Sequence, residues 1–116
     1  MSDWLTVCQK SDLVPQTGVC AFLNGHQIAI FNCQREGKLY AISNYDPIGK
    51  ANVLSRGIIG SIDDEPYVAS PLYEQHFHLE TGACLEEQDI MLTTYCVREL
   101  DGNIQVQLPL SENIAA

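Results

Sequence analysis

Basic residues are scarce in this chain. Six Lys and Arg stand against fifteen Asp and Glu in 116 residues, a formal charge of −9. A surface of that sign repels phosphate backbones and anionic headgroups, so neither nucleic acid nor membrane is an expected partner. Long apolar runs are missing as well. No basic segment leading into an apolar one follows Met1, and nothing approaches the ~20 apolar residues that span a bilayer. The expected location is therefore the cytoplasm. None of the five cysteines forms a C-x-x-C pair, and their number is odd. In a reducing compartment Cys8, Cys20, Cys33, Cys84 and Cys96 are expected as small hydrophobes or surface thiols, neither bridged nor catalytic. Nucleophile elbows and phosphate loops are absent too: there is no G-x-S-x-G, and no Gly-rich loop runs into a helix with Lys. Ser70 near His76 or His78 has nothing in its spacing beyond a turn serine before Pro71. Such a chain is expected to carry no chemistry of its own.

What is present is a succession of short strands. The length suits one domain, 1–116. Trp4–Cys8 is a β-rich run, followed by a turn or short helical turn from Ser11, since Pro15 forbids a longer helix. Asn24-Gly25 between two apolar runs calls for a two-residue type I′ hairpin, because both central residues must take positive φ. That turn sets Leu23 against His26, Ala21 against Ile28 and Val19 against Ile30. Apolar residues then line both faces, so this hairpin is expected to be central. His26, beside its tip, is expected as a surface histidine.

Leu39–Ser43 is the next strand and enters a long loop, Asn44 to Gly57. Asp63–Pro66 is expected as the turn of a second hairpin between Ile58–Ile62 and Tyr67–Ser70. A second loop, Pro71–Gln75, leads into His76–Glu80, whose alternation turns Phe77 and Leu79 inward and His76, His78 and Glu80 outward. Asp101-Gly102 joins the last hairpin, with Val97 facing Val106, Tyr95 facing Leu108 and Glu99 facing Ile104. Ser111–Ala116 is expected as a frayed tail. The fold class is all-β, an antiparallel sandwich or partly open barrel.

Two constellations stand out. His76 and His78, two apart on a strand, leave one face and could share a metal with Glu80 or Cys84; the alternative is an ordinary polar face. The second is the pair of Pro-containing loops. Asn44-Tyr-Asp-Pro-Ile-Gly49 resembles the C-P-H-x-G loop of Rieske domains, and Ser70-Pro-Leu-Tyr-Glu-Gln-His-Phe-His-Leu-Glu-Thr-Gly82 resembles their C-P-x-H-G loop and the strand after it. Rieske domains hold a [2Fe–2S] cluster on two Cys and two His. Carried over, the resemblance places the Cys positions on Asp46 and Ser70 and the His positions on Ile48 and Tyr73. Neither that residue set nor any subset of it is a cluster's ligand set.

With these substitutions, and with Thr17-Gly-Val-Cys20, Ala41-Ile-Ser-Asn44, Val53-Leu-Ser-Arg-Gly57 and Val68-Ala-Ser-Pro-Leu72, the whole chain resembles one family. It is that of the small subunits of cytosolic, assimilatory NAD(P)H-dependent nitrite reductases, Rieske-like domains without cluster ligands. The resemblance implies a non-catalytic chain without a cofactor. Its partner would be a large subunit that carries FAD, an iron–sulfur cluster and sirohaem and reduces nitrite to ammonium. Pro47, Ile48, Pro71, Leu72 and Tyr73 would either form an apolar interface at the loop tip or pack on one another to close the vacated site. The competing expectations are a stand-alone Rieske-type electron carrier and a metal- or small-molecule-binding β domain.

Overall fold

Residues 4–33 and 37–108 are described by the computed structural model. The expected tail, Ser111–Ala116, lies outside them. Trp4–Gln9 forms β1, and Lys10–Asp12 a single 3₁₀ turn. Gly18–Leu23 (β2) and His26–Cys33 (β3) make the first hairpin, with Asn24 at φ 50° and Gly25 at φ 83°. Its register is the expected one: Val19 faces Ile30, Ala21 faces Ile28 and Leu23 faces His26.

Lys38–Ser43 (β4), Thr94–Leu100 (β10) and Asn103–Gln107 (β11) complete a six-stranded antiparallel sheet in the order β1-β11-β10-β4-β3-β2. The last hairpin pairs Val97 with Val106 and Glu99 with Ile104, again as expected. Between β4 and β10 lie the two-residue strands Tyr45–Asp46 (β5) and Ala51–Asn52 (β6), a 3₁₀ turn at Leu54–Arg56, and a second sheet. That sheet comprises Ile58–Ile62 (β7), Glu65–Ala69 (β8) and His76–His78 (β9) in sequential order.

Side-chain alternation in β3 and β4 divides the core in two. Ile28, Ile30 and Ala41 join Ala21, Tyr95, Ile104 and Val106 on one face of the large sheet. Ala29, Phe31, Cys33 and Ile42 face the other way, onto Leu54, Val68, Phe77, Leu79, Cys84 and Leu92 from the small sheet and its flanks. β3 is thus buried on both sides, and full burial of Phe31 or Phe77 alone contributes roughly 2–3 kcal/mol.

Three expectations are corrected. The first hairpin is only half central: β2 ends the sheet, and its Cys20 and Phe22 are exposed because the second core cluster does not extend beyond β3. The turn between β7 and β8 is Asp63-Asp64 alone, at φ 52° and 65°, so Glu65 and Pro66 belong to β8 and face Ile62 and Ser61. Aspartate tolerates the left-handed region well enough to replace the Asn-Gly pair. The strand expected over His76–Glu80 stops at His78, and His78 is buried rather than outward. Its Nδ1 accepts the N–H groups of Glu80 at 3.0 Å and Thr81 at 3.2 Å, so the ring caps the following turn, with its edge against Tyr67.

Candidate functional site

The two Pro-containing loops meet. Asn44, almost fully buried, anchors the first: its Oδ1 accepts the Ser55 N–H at 2.7 Å and its backbone carbonyl the Leu54 N–H at 3.1 Å. β5 and β6 then pair Tyr45 with Asn52 and Asp46 with Ala51, so the first part of the expected long loop is a small hairpin. The second loop closes on Ser70, whose N–H donates to the Gln75 carbonyl at 2.9 Å and whose carbonyl accepts the Glu74 N–H at 3.1 Å. Lys50 in the first loop and Glu74 in the second both hold positive φ, 58° and 61°.

Asp46 and Ser70 are fully buried between the loops. The Asp46 carboxylate accepts the Ile48 N–H at 2.8 Å and the Gly49 N–H at 3.0 Å on Oδ1, and the Ser70 hydroxyl at 2.5 Å on Oδ2. Ser70 Oγ in turn accepts the Leu72 N–H at 3.3 Å. Three donors satisfy the carboxylate, which is what permits it a buried position. Leu72 covers Gly49 so closely that a Cβ there would collide with its Cδ1, and this closes the space between the loops.

The remaining expected residues divide. Ile48 is partly buried and packs against the larger core cluster, and Pro47 is half-buried. Pro71, Leu72 and Tyr73 are exposed, Tyr73 to 65%. Tyr45 belongs with them at 42% exposure. It was missed in the sequence, although strand alternation beside an inward Asp46 points it outward.

His76 and His78 do not converge. His78 Nε2 lies 2.8 Å from Glu65 Oε1, whereas His76 Nδ1 lies 2.6 Å from Glu86 Oε2 and its N–H donates to Glu86 Oε1 at 2.8 Å. Burial works to raise the Glu86 carboxyl, but these bonds from His76 outweigh it and leave Glu86 below its ordinary value. Glu80 is exposed and Cys84 is buried, the latter's thiol pushed up by burial. Among the described residues no three His, Cys, Asp or Glu side chains form a metal-holding group. His26, expected at the surface, lies half-buried with its Nδ1 3.3 Å from the Tyr95 hydroxyl.

Comparison with known proteins matches this geometry to a family. Residues 3–107 fit the Rieske-like [2Fe-2S] domain family. A Salmonella typhimurium protein named nitrite reductase (NADH) small subunit is 43% identical over 107 residues, 92% of this chain and 99% of that protein. The chain belongs to the nitrite reductase small-subunit family of Rieske-like domains. The solved structure of the Escherichia coli protein NirD, 42% identical, superposes with a TM-score of 0.86 over 93% of this chain and 98% of that one. A third relative, the nitrite reductase [NAD(P)H] large subunit of Klebsiella oxytoca, is 34% identical over 103 residues, 89% of this chain but only 11% of that protein.

The family description names a [2Fe–2S] cluster, and the residues of this small-subunit domain do not fit one. A Rieske cluster needs two thiolates and two imidazoles. At the two positions that the motif resemblance aligns with the thiolates stand the Asp46 carboxylate and the Ser70 hydroxyl, and each is spent on the other. Ile48 offers no donor atom, and Tyr73 offers a neutral phenol where an imidazole is required. The loops of a cluster site are present, closed on themselves by a hydrogen bond and by Leu72.

Proposed function

We propose that this chain is the non-catalytic small subunit of an assimilatory NAD(P)H nitrite reductase, acting through association with the large subunit in the cytoplasm. The observation that supports the non-catalytic part is the Asp46–Ser70 bond, made between the two residues that the Rieske resemblance aligns with a cluster's thiolates. Flavin, iron–sulfur and sirohaem chemistry then belongs to the large subunit, which takes electrons from NAD(P)H and passes them to nitrite. The Klebsiella oxytoca relative supports the partnership. There a segment like this chain makes up 11% of a protein that is named as a large subunit.

A stand-alone electron carrier is disfavoured by the same bond. Expressed alone, the chain is expected to be colourless and iron-free; co-expressed with its large subunit, it is expected to elute as a complex under native conditions. A Rieske-type visible spectrum with stoichiometric iron in the isolated chain defeats the non-catalytic reading. Separate elution of the two chains defeats the partnership.

A further inference from the structure

The vacated site has not simply collapsed. A site with no remaining role can close with apolar side chains at no desolvation cost, since apolar replacement of a buried polar pair is often neutral or stabilising. Here the loops instead enclose a carboxylate and a hydroxyl, and both Lys50 and Glu74 stay in left-handed conformations costing roughly 1 kcal/mol or more each. Two of the seven described non-Gly residues with positive φ lie in these adjoining loops together with the buried Asp46–Ser70 pair, and the loops present apolar and aromatic side chains. Tyr45, Leu72 and Tyr73 are exposed on them. Phe22 is 70% exposed on β2, the last strand in the order of the large sheet. Its cross-strand neighbour is Gln27, whose carbonyl accepts the Asn44 N–H at 2.9 Å at the base of the first loop.

Charge is distributed around this surface in a way that suits an interface. Residues 44–57 and 70–75 contain two of the six basic side chains, Lys50 and Arg56, and two of the fifteen acidic ones, Asp46 and Glu74. The tip is therefore charge-balanced, one of its acids is buried and hydrogen-bonded, and the whole net −9 resides elsewhere in the chain. An interface core is depleted of charge and enriched in aromatics, and two tyrosines and a phenylalanine amid few charges fit that composition. A second copy is the poorer occupant, because it would bring another −9 body against the first.

We infer that the surface running from Tyr73 and Leu72 through Tyr45 to Phe22 is the face that seats this subunit on the large subunit, into an apolar depression whose rim supplies carboxylates to Lys50 and Arg56. The inference rests on the proposed partnership and adds its location and chemistry. The Asp46–Ser70 bond is then a positioning device, holding Leu72 and Tyr73 in the orientation that docks.

The test measures binding of the full-length small subunit to its large subunit by titration calorimetry. Tyr73→Asp and Phe22→Asp are compared with wild type, and Leu100→Asp serves as control, a 46%-exposed leucine at the far end of β10. Each tip variant is expected to weaken binding tenfold or more, with Leu100→Asp within twofold of wild type and all three thermal midpoints near wild type. Hydrogen exchange on the wild-type complex provides a readout independent of any variant: the 70–75 segment should slow on binding and the 99–103 turn should not. Wild-type affinity in both tip variants, or slowed exchange confined to regions other than the tip, overturns the location. Failure of the wild-type chain to bind overturns the partnership on which it rests.

Discussion

Asp46 and Ser70, twenty-four positions apart in the chain, share a 2.5 Å hydrogen bond in the buried space between two loops. By the motif resemblance these are the positions of the two Rieske thiolates, and on that reading a polar cross-link stands where a metal one would. The replacement is directional, because the Ile48 and Gly49 N–H groups already fill the other carboxylate oxygen.

The energetics of that lock are open to a double-mutant cycle. Asp46→Ala strands three donors, one of them the fully buried Ser70 hydroxyl, and is expected to cost about 2–4 kcal/mol in urea unfolding. Ser70→Ala removes one of those donors and is expected to cost about 1–2 kcal/mol. Because the two side chains serve each other, the double variant should be less destabilised than the sum by roughly 1 kcal/mol or more. Strictly additive costs would mean that the bond contributes nothing and that the loops are held by Leu72 on Gly49 alone.

His78 supplies a second prediction, this one about a proton. Two backbone N–H groups point at Nδ1, so the ring proton must sit on Nε2, toward Glu65. Long-range ¹H–¹⁵N correlation at neutral pH is expected to show a single Nε2–H tautomer for His78. His78→Phe keeps the ring against Tyr67 but leaves the Glu80 and Thr81 N–H groups without their acceptor, at about 1–3 kcal/mol. An Nδ1–H tautomer, or a phenylalanine variant as stable as wild type, contradicts the capping role.

His78 also marks where sequence reasoning stops. Period-two alternation put it outward beside Phe77, and alternation is sound only while the strand continues and one face meets water. The strand ends at His78, and Glu65 and Tyr67 of β8 cover the face that alternation assigns to solvent. By contrast, the Asn24-Gly25 and Asp101-Gly102 turns were legible with their registers, because a two-residue turn with positive φ at both positions leaves one pairing available. Asp63-Asp64 takes the same turn without glycine, so the hairpin was legible and its register was not. The loop positions of Asp46 and Ser70 could be read from a resemblance, each as a lost ligand. That the two losses complement each other depends on a distance between side chains, which neither loop specifies alone.

Glycine offers a test that separates backbone conformation from packing. Gly82 and Gly102 share nearly the same backbone angle, φ 83° and 81°. At Gly102 a Cβ would meet nothing within 4 Å, so Gly102→Ala should cost only the left-handed conformation, about 1 kcal/mol. At Gly82 a Cβ would run into the backbone carbonyl of Leu92, while the Gly82 carbonyl accepts the Leu92 N–H at 2.8 Å and the Gly82 N–H donates to the His78 carbonyl at 2.8 Å. The two segments cannot part without losing the bond between them, so Gly82→Ala should cost roughly 3 kcal/mol or more. The measurement is the difference between the two variants in denaturant unfolding, expected at about 2 kcal/mol, with unchanged m-values confirming a common unfolding transition. Equal costs would show that Gly82 serves only its backbone angle, and that the close approach of Leu92 to the turn after β9 does not hold the end of the small sheet in place.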